Sequence, residues 1–303
     1  MKKQILLLLV ILVCACTRTN QNNELTNKGL TLTPKSFSEE DFTLFWEKAK
    51  LGGTFISWTG KWDENTARTV TQLAKNNRLT SIIEIQVFNT LNGELTINES
   101  SIEEIVRFAE NSNAEFIGLG VEVNNLYEKS KTNYDSFIQV FNNLYDRIKT
   151  ASPNTKVFTI FQLEKMKGLN EGLFGGADNE LGEWFLLDNF SKADFIGFTT
   201  YPCLIYKEPS DIPADYYSEI MNHTLKQVSF TEIGWFSTGL IGWESSEEEQ
   251  SNFITEFFNQ TRNLNAAFNI WSFLYDQNVP PPFNNMGLYY ANGSEKLGWN
   301  AWI

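Results

Sequence analysis

Two glutamates stand where carboxyl chemistry could be done. Glu122 ends the segment Phe116-Ile117-Gly118-Leu119-Gly120-Val121-Glu122, and Glu232 ends Val228-Ser229-Phe230-Thr231-Glu232, with Gly234 closing that run. Alternation along an extended chain places Gly118, Gly120 and Glu122 on one face and Ile117, Leu119 and Val121 on the other. Two carboxyls in different surroundings divide their work. One keeps its proton and gives it to a leaving oxygen, while the other, its carboxyl about 5.5 Å from the first, stays ionised and attacks the acetal carbon, as in retaining glycoside hydrolysis. Other nucleophilic or metal chemistry is poorly supplied. His223 is the only histidine, and of the three cysteines Cys14 and Cys16 lie in the leader, which leaves Cys203 between Pro202 and Leu204 as a packing thiol. No metal site and no cofactor are expected.

Such a pair needs a scaffold that brings distant segments together, and the chain reads as eight strand and helix alternations. The strands are expected at 29–33, 54–58, 81–88, 116–122, 156–161, 195–200, 227–232 and 268–273. Helices are expected over 38–50, 64–76, from Ser101, over 134–149 and from Ser246. Ser101-x-x-Glu104 and Ser246-x-x-Glu249 read as capping boxes. This count over this length predicts an α/β protein built as a single (β/α)8 TIM barrel. An open doubly wound sheet is the competitor, but it wants a glycine-rich loop after strand one, where Pro34-Lys35-Ser36 stands. In a barrel the working groups sit at the C-terminal strand ends, so Glu122 and Glu232 converge at the mouth. Trp58, Trp62, Trp235 and Trp271 follow or end strands and are positioned to stack on sugar rings, whereas Trp46, Trp299 and Trp302 read as packing. Glu84 shares the inward parity of Gln86, as a cleft residue or part of a deep network, and Glu164 reads as an exposed loop carboxylate.

Gly118-Leu119-Gly120-Val121-Glu122-Val123-Asn124 resembles the strand-four motif of the clan A glycoside hydrolases, and Phe230-Thr231-Glu232-Ile233-Gly234-Trp235 resembles their strand-seven motif. Asp194-Phe195-Ile196-Gly197-Phe198-Thr199-Thr200-Tyr201-Pro202 is similar to strand six of the endo-galactanase and related branches, and Trp271 falls where the clan carries its strand-eight tryptophan. The resemblance implies an O-glycosyl hydrolase with Glu122 as acid/base, Glu232 as nucleophile and Tyr201 as a hydrogen-bond donor beside the nucleophile. Two positions depart from the clan pattern. Val121 stands where an asparagine usually contacts the sugar, so Asn124, Gln86 or Gln162 would have to replace that amide. Near the end of strand two, Lys61 is the only cation where the clan places an arginine that keeps the nucleophile ionised.

Lys2 and Lys3 precede the apolar run Ile5 to Val13, which is too short for a stable span and suits a secretory signal. The run ends Val13-Cys14-Ala15-Cys16, which resembles a bacterial lipobox. The expected organisation is therefore a signal peptide over 1–15, acylation of Cys16, a polar Asn-rich tether over 16–28 and the barrel over 29–303. An ordinary secretory signal is the alternative. Thr17 after the cysteine, rather than aspartate, points to the outer membrane in a host with two membranes, so the expected place is the bacterial cell envelope. The net charge is −13, and loss of Lys2 and Lys3 leaves −15, a field that opposes nucleic acid and anionic glycans. The expected partner is a neutral polysaccharide or oligosaccharide, bound by a monomer. A non-catalytic glycan-binding lipoprotein on a degenerate barrel is the first alternative, and a structural envelope lipoprotein the second.

Overall fold

In a computed structural model of the protein, which describes residues 27–303, eight parallel strands close into one barrel. The expected leader, Cys16 and the tether up to residue 26 lie outside the described residues. The barrel strands are β1 (Lys28–Thr31), β2 (Phe55–Lys61), β3 (Thr80–Gln86), β4 (Phe116–Leu119), β5 (Lys156–Gln162), β6 (Ile196–Thr200), β7 (Val228–Ile233) and β10 (Asn269–Trp271). β1 pairs with both β2 and β10, so the sheet has no edge. A short hairpin, β8 (Gly239–Leu240) and β9 (Trp243–Glu244), follows β7. This is the single (β/α)8 barrel that the alternation predicts. Asn27 accepts a hydrogen bond from the Asn269 amide and Lys28 begins β1, so residues 27 and 28, expected in the tether, belong to the barrel.

Helix starts follow capping chemistry. Ser38 caps α1 (Glu39–Gly52), Asp63 caps α2 (Glu64–Asn76) and Ser246 caps α7 (Glu247–Thr261), each accepting from a backbone amide of the first turn. α3 (Glu99–Ser112) departs from expectation: Asn98 caps it and accepts from the Ser101 amide, so Ser101 lies inside the first turn rather than at its start. Asparagine caps as well as serine and comes first in the chain. α4 (Val123–Lys129) and α5 (Lys131–Ala151) follow β4. The helical layer then thins. β5 is followed by the one-turn α6 (Leu163–Met166) and a 3-10 segment, Trp184–Phe190, and β6 by 3-10 turns alone, before α7 and the short α8 (Leu297–Trp302) restore it.

Two apolar layers hold the frame. Inside the barrel, Ile82, Val121, Phe158, Ile160, Phe195, Phe268 and Ile270 fill the floor below the mouth. Phe268 meets Phe55, Phe116 and Phe195 at ring centroid distances of 5.3–5.7 Å, mostly edge to face. Losing one such ring costs about 3–5 kcal/mol, because the neighbours cannot close the gap. The second layer lies between sheet and helices, where Phe230 packs on Tyr217 and Phe257. Cys203 is buried there, as a packing thiol.

Candidate active site

The backbone, rather than strand alternation, aims Glu122. β4 stops at Leu119, and Gly120 turns the chain at φ +80°, where a Cβ would lie 2.5 Å from Val123 Cγ1 and 2.8 Å from Phe137 Cζ. Glycine is required there. Val121 then enters the cluster inside the barrel instead of facing the helices, and Glu122 takes a left-handed conformation, φ 53° and ψ 52°, directly before α4. A non-glycine residue held there costs about 1–2 kcal/mol, which its fixed surroundings must offset. Gly118 clears space for Phe158, whose Cζ would lie 3.0 Å from a Cβ, and not for the carboxylate. Glu232 arrives by a different irregularity. Phe198 pairs with Phe230, but the next pair is Thr199 with Glu232, so Thr231 is an extra residue that brings Glu232 beside β6. Thr199 Oγ1 in turn donates to Glu122 Oε1 at 2.8 Å. One threonine therefore pairs with Glu232 along the sheet and holds the Glu122 carboxyl.

Burial dominates their electrostatics. Glu122 Oε2 also accepts from Asn125 Nδ2 at 2.7 Å, and Lys165, paired with Glu128, adds attraction; burial still raises the pKa above the usual carboxylate range. For Glu232 burial and then the charge of Glu122 raise it to about 7, opposed only by the Tyr201 hydroxyl, which donates at 2.5 Å. Burial thus works against the ionised Glu232 that the sequence leads one to expect, and among the described residues no cation offsets it, Lys61 being exposed. The Ile233 carbonyl already accepts from the Ser272 amide at 3.0 Å, so the Ser272 hydroxyl can donate to Tyr201 while Tyr201 donates to Glu232, a relay that favours the carboxylate against burial. Beneath lies Glu84, fully buried, accepting from Ser57 Oγ at 2.6 Å and Thr59 Oγ1 at 3.0 Å, with a pKa raised to about 8 by burial and by the charge of Glu232. It belongs to a deep network.

Tyr201 is well supported. Glu164 Oε1 accepts from the Tyr201 amide at 2.9 Å, from Thr200 Oγ1 at 3.0 Å and from the Tyr216 hydroxyl at 2.9 Å. The expected loop carboxylate is instead fully buried, and burial lifts it to about 7. Gly234 completes the support, since a Cβ there would come within 2.6 Å of Tyr201 Cε1.

The remaining sequence candidates separate into two groups. Gln86 and Gln162 end β3 and β5, and the Oε1 atom of each is buried without a protein partner, which leaves both amides available to a ligand. Trp58 lines a cavity of about 660 Å³ that also touches Glu232, Ser272 and Phe273. The other group is spent on packing. Trp271 is fully buried, donates to the Met286 carbonyl at 3.0 Å and packs between Phe253 and Trp302, because it faces the helices while Ile270 faces the barrel. Trp235 is likewise fully buried, donating to Ser245 Oγ at 3.1 Å and stacked on Phe253. Neither indole can stack on a sugar. Trp62 donates to Glu104 and packs on Phe108. Asn124 is buried with both amide atoms bonded to the Gln162 backbone, so it clamps α4 to β5 instead of reaching a ligand. His223 stacks on Trp184 with centroids 4.2 Å apart. Among the described residues no cluster of His, Cys, Asp and Glu could hold a metal ion. Sequence reasoning missed Thr199, Asn125, Ser272 and Phe273. Thr199 shares the parity of Gly197 and was open to discovery, whereas nothing in the chain marks Ser272.

No protein-family model and no curated protein sequence matches the chain. Solved structures do match its fold. It is similar to an exo-beta-1,4-mannosidase from Opitutaceae bacterium strain TAV5 (TM-score 0.65, 12% identity, 92% of this chain and 58% of that one). It is also similar to a family 39 glycoside hydrolase from Bacteroides cellulosilyticus WH2 (0.62, 15%, 91% and 62%) and to xylanase 10B from Thermotoga petrophila RKU-1 (0.62, 12%, 92% and 93%). The chain spans less than two thirds of the length of the first two. At these identities the likeness is one of fold, and the fold is the TIM barrel that glycoside hydrolases of several families share.

Proposed function

We propose that the protein is a retaining glycoside hydrolase acting on a neutral β-linked glycan, with Glu232 as nucleophile and Glu122 as acid/base. The observation that carries this reading is Thr199, which pairs with Glu232 in the sheet and hydrogen-bonds Glu122, so that two half-buried glutamates flank one strand end. Catalysis starts from the form in which Glu122 carries the proton and Glu232, accepting from Tyr201, is ionised. The ionised Glu232 then attacks the anomeric carbon as Glu122 protonates the departing oxygen. In the second step the Glu122 carboxylate takes a proton from water, the water oxygen bonds to the anomeric carbon and the Glu232 ester breaks, which returns the original configuration. Gln86 and Gln162 supply amide contacts to sugar hydroxyls. Neutrality of the substrate rests on the net charge and on a cavity beside Glu232 lined by no lysine or arginine. One chain contains the whole site, which suits a monomer.

The lipid anchor at Cys16 belongs to the same reading. β1 begins at the N-terminal face of the barrel, opposite the mouth, so a tether leaving there would turn the site away from a bacterial outer membrane. Cys16→Ser should release the protein into the soluble fraction, and an unmodified N-terminus elsewhere by mass spectrometry would refute the anchor. Digestion of a glycan panel, with Glu232→Ala as control, tests the activity: neutral β-glycans should be cleaved in preference to polyuronates. A second reading, glycan binding without turnover, is favoured by the lack of a cation beside Glu232 among the described residues. Glycan-dependent thermal stabilisation without product would support it.

A further inference from the structure

The cavity beside Glu232 has the wrong chemistry for a second sugar. It runs outward from the barrel mouth over β1 and β2 to α2, and its volume of about 660 Å³ exceeds what one pyranose fills. Its walls carry Leu32, Phe37, Phe42, Trp58, Leu73 and Phe273, and Glu232 is its only ionisable lining residue. Most of its hydroxyls are committed: Thr59 donates to Glu84, Thr33 accepts from the Leu274 amide and donates to the Thr31 carbonyl, Thr69 donates to the Asn65 carbonyl, and Ser272 is tied to Tyr201 and Ile233, while the buried Thr31 hydroxyl lacks a protein partner. A sugar ring would lose its hydration there and regain few hydrogen bonds, whereas an apolar group loses nothing of that kind. The wall is largely aromatic. Phe37 and Phe42 lie 6.3 Å apart and tilted, and the Trp58 indole folds over Gly60, where a Cβ would sit 2.8 Å from its Cζ2. Offset and edge contacts of this kind favour a flat ring over an alkyl chain.

We infer that this cavity is a subsite for an aryl substituent carried on the glycone half of the substrate. The inference rests on the hydrolase reading for its direction. The leaving group departs on the side of Glu122 and β4, while the cavity adjoins Glu232 with β1, β2 and β10, so its occupant is attached to the sugar that stays on the enzyme as the ester. An aryl ester on a neutral glycan fits this class.

Calorimetry with methyl cinnamate and methyl octanoate, as neutral aryl and alkyl probes, tests the subsite without turnover. Methyl cinnamate should bind at one site, about tenfold more tightly than methyl octanoate. Thr69 is exposed on α2 and lines the cavity, so Thr69→Trp should fill it without disturbing the core and weaken methyl cinnamate about tenfold, and Phe37→Ser should weaken it in the same direction. No binding, equal binding of the two probes, or an unchanged affinity in Thr69→Trp would overturn the proposal. A second arm compares a partly benzoylated neutral β-glycan with its parent. Preference for the benzoylated form, abolished in Thr69→Trp, is expected. If neither glycan is cleaved while methyl cinnamate still binds, the hydrolase reading fails and the subsite stands. Cleavage without aryl preference or probe binding would instead remove the subsite and leave the hydrolase reading in place.

Discussion

At the scale of single residues, the candidate site is a set of buried and half-buried acids with no matching base among the described residues. Glu84, Glu164 and Glu232 have pKa values raised to about 8, 7 and 7, and burial is the largest cause in each. Tyr201 is the one group stabilising the charge of Glu232, and it donates only while its own phenol keeps its proton, which burial ensures. Tyr201→Phe therefore raises the pKa of Glu232 further, and nucleophilic attack needs Glu232 ionised. The acid limb of kcat/KM, expected near pH 7, should move to higher pH, and kcat should fall about tenfold or more with little change in KM. A pH profile of the variant checks this; an unmoved acid limb would show that Tyr201 does not govern Glu232.

At the scale of elements, glycines and irregularities do the positioning. Gly234 has room for no Cβ against Tyr201, so Gly234→Ala should displace the ring and reproduce the kinetic loss of Tyr201→Phe while the far-ultraviolet dichroism stays native. Full activity in Gly234→Ala would mean that the ring contact is slack. This scale also separates what the chain displays from what it hides. Strand count, barrel closure and the place of Glu232 near the end of β7 follow from hydrophobic periodicity and were legible. The aim of Glu122 was not, because it depends on a left-handed backbone after Gly120, and strict alternation assigned Val121 to the wrong face. Trp235 and Trp271 misled for a related reason: indoles at strand ends suit both a sugar and a helix layer, and only three-dimensional parity shows that both face the helices. Asn124 was misread because its partner is the Gln162 backbone, a pairing that no local pattern encodes.

At the scale of the whole molecule, the raised acids make stability depend on pH. Each keeps its proton in the folded chain up to about 7 or 8 but loses it near 4.5 when unfolded, so the folded state binds more protons between those limits. Their stabilising contribution is complete below about pH 4.5 and is lost as pH rises through 7 to 8. The melting temperature should fall by about 5 °C or more between pH 5.5 and 8.5, given about 1.4 kcal/mol for each unit of differential pKa. Glu84→Gln, which keeps the volume and removes the titration, should flatten that fall, and a wild-type melting temperature that rises over this range would contradict the burial argument. The same barrel must deliver chemistry, and the central claim is that its two glutamates act in sequence through a covalent intermediate. The most direct measurement is NMR of the sugar product formed by Glu122→Ala from an activated aryl β-glycoside in the presence of azide. A β-configured glycosyl azide and restored turnover are expected, with Glu232→Ala inert under the same conditions. An α-configured product, or azide-dependent turnover in Glu232→Ala instead, would contradict that claim.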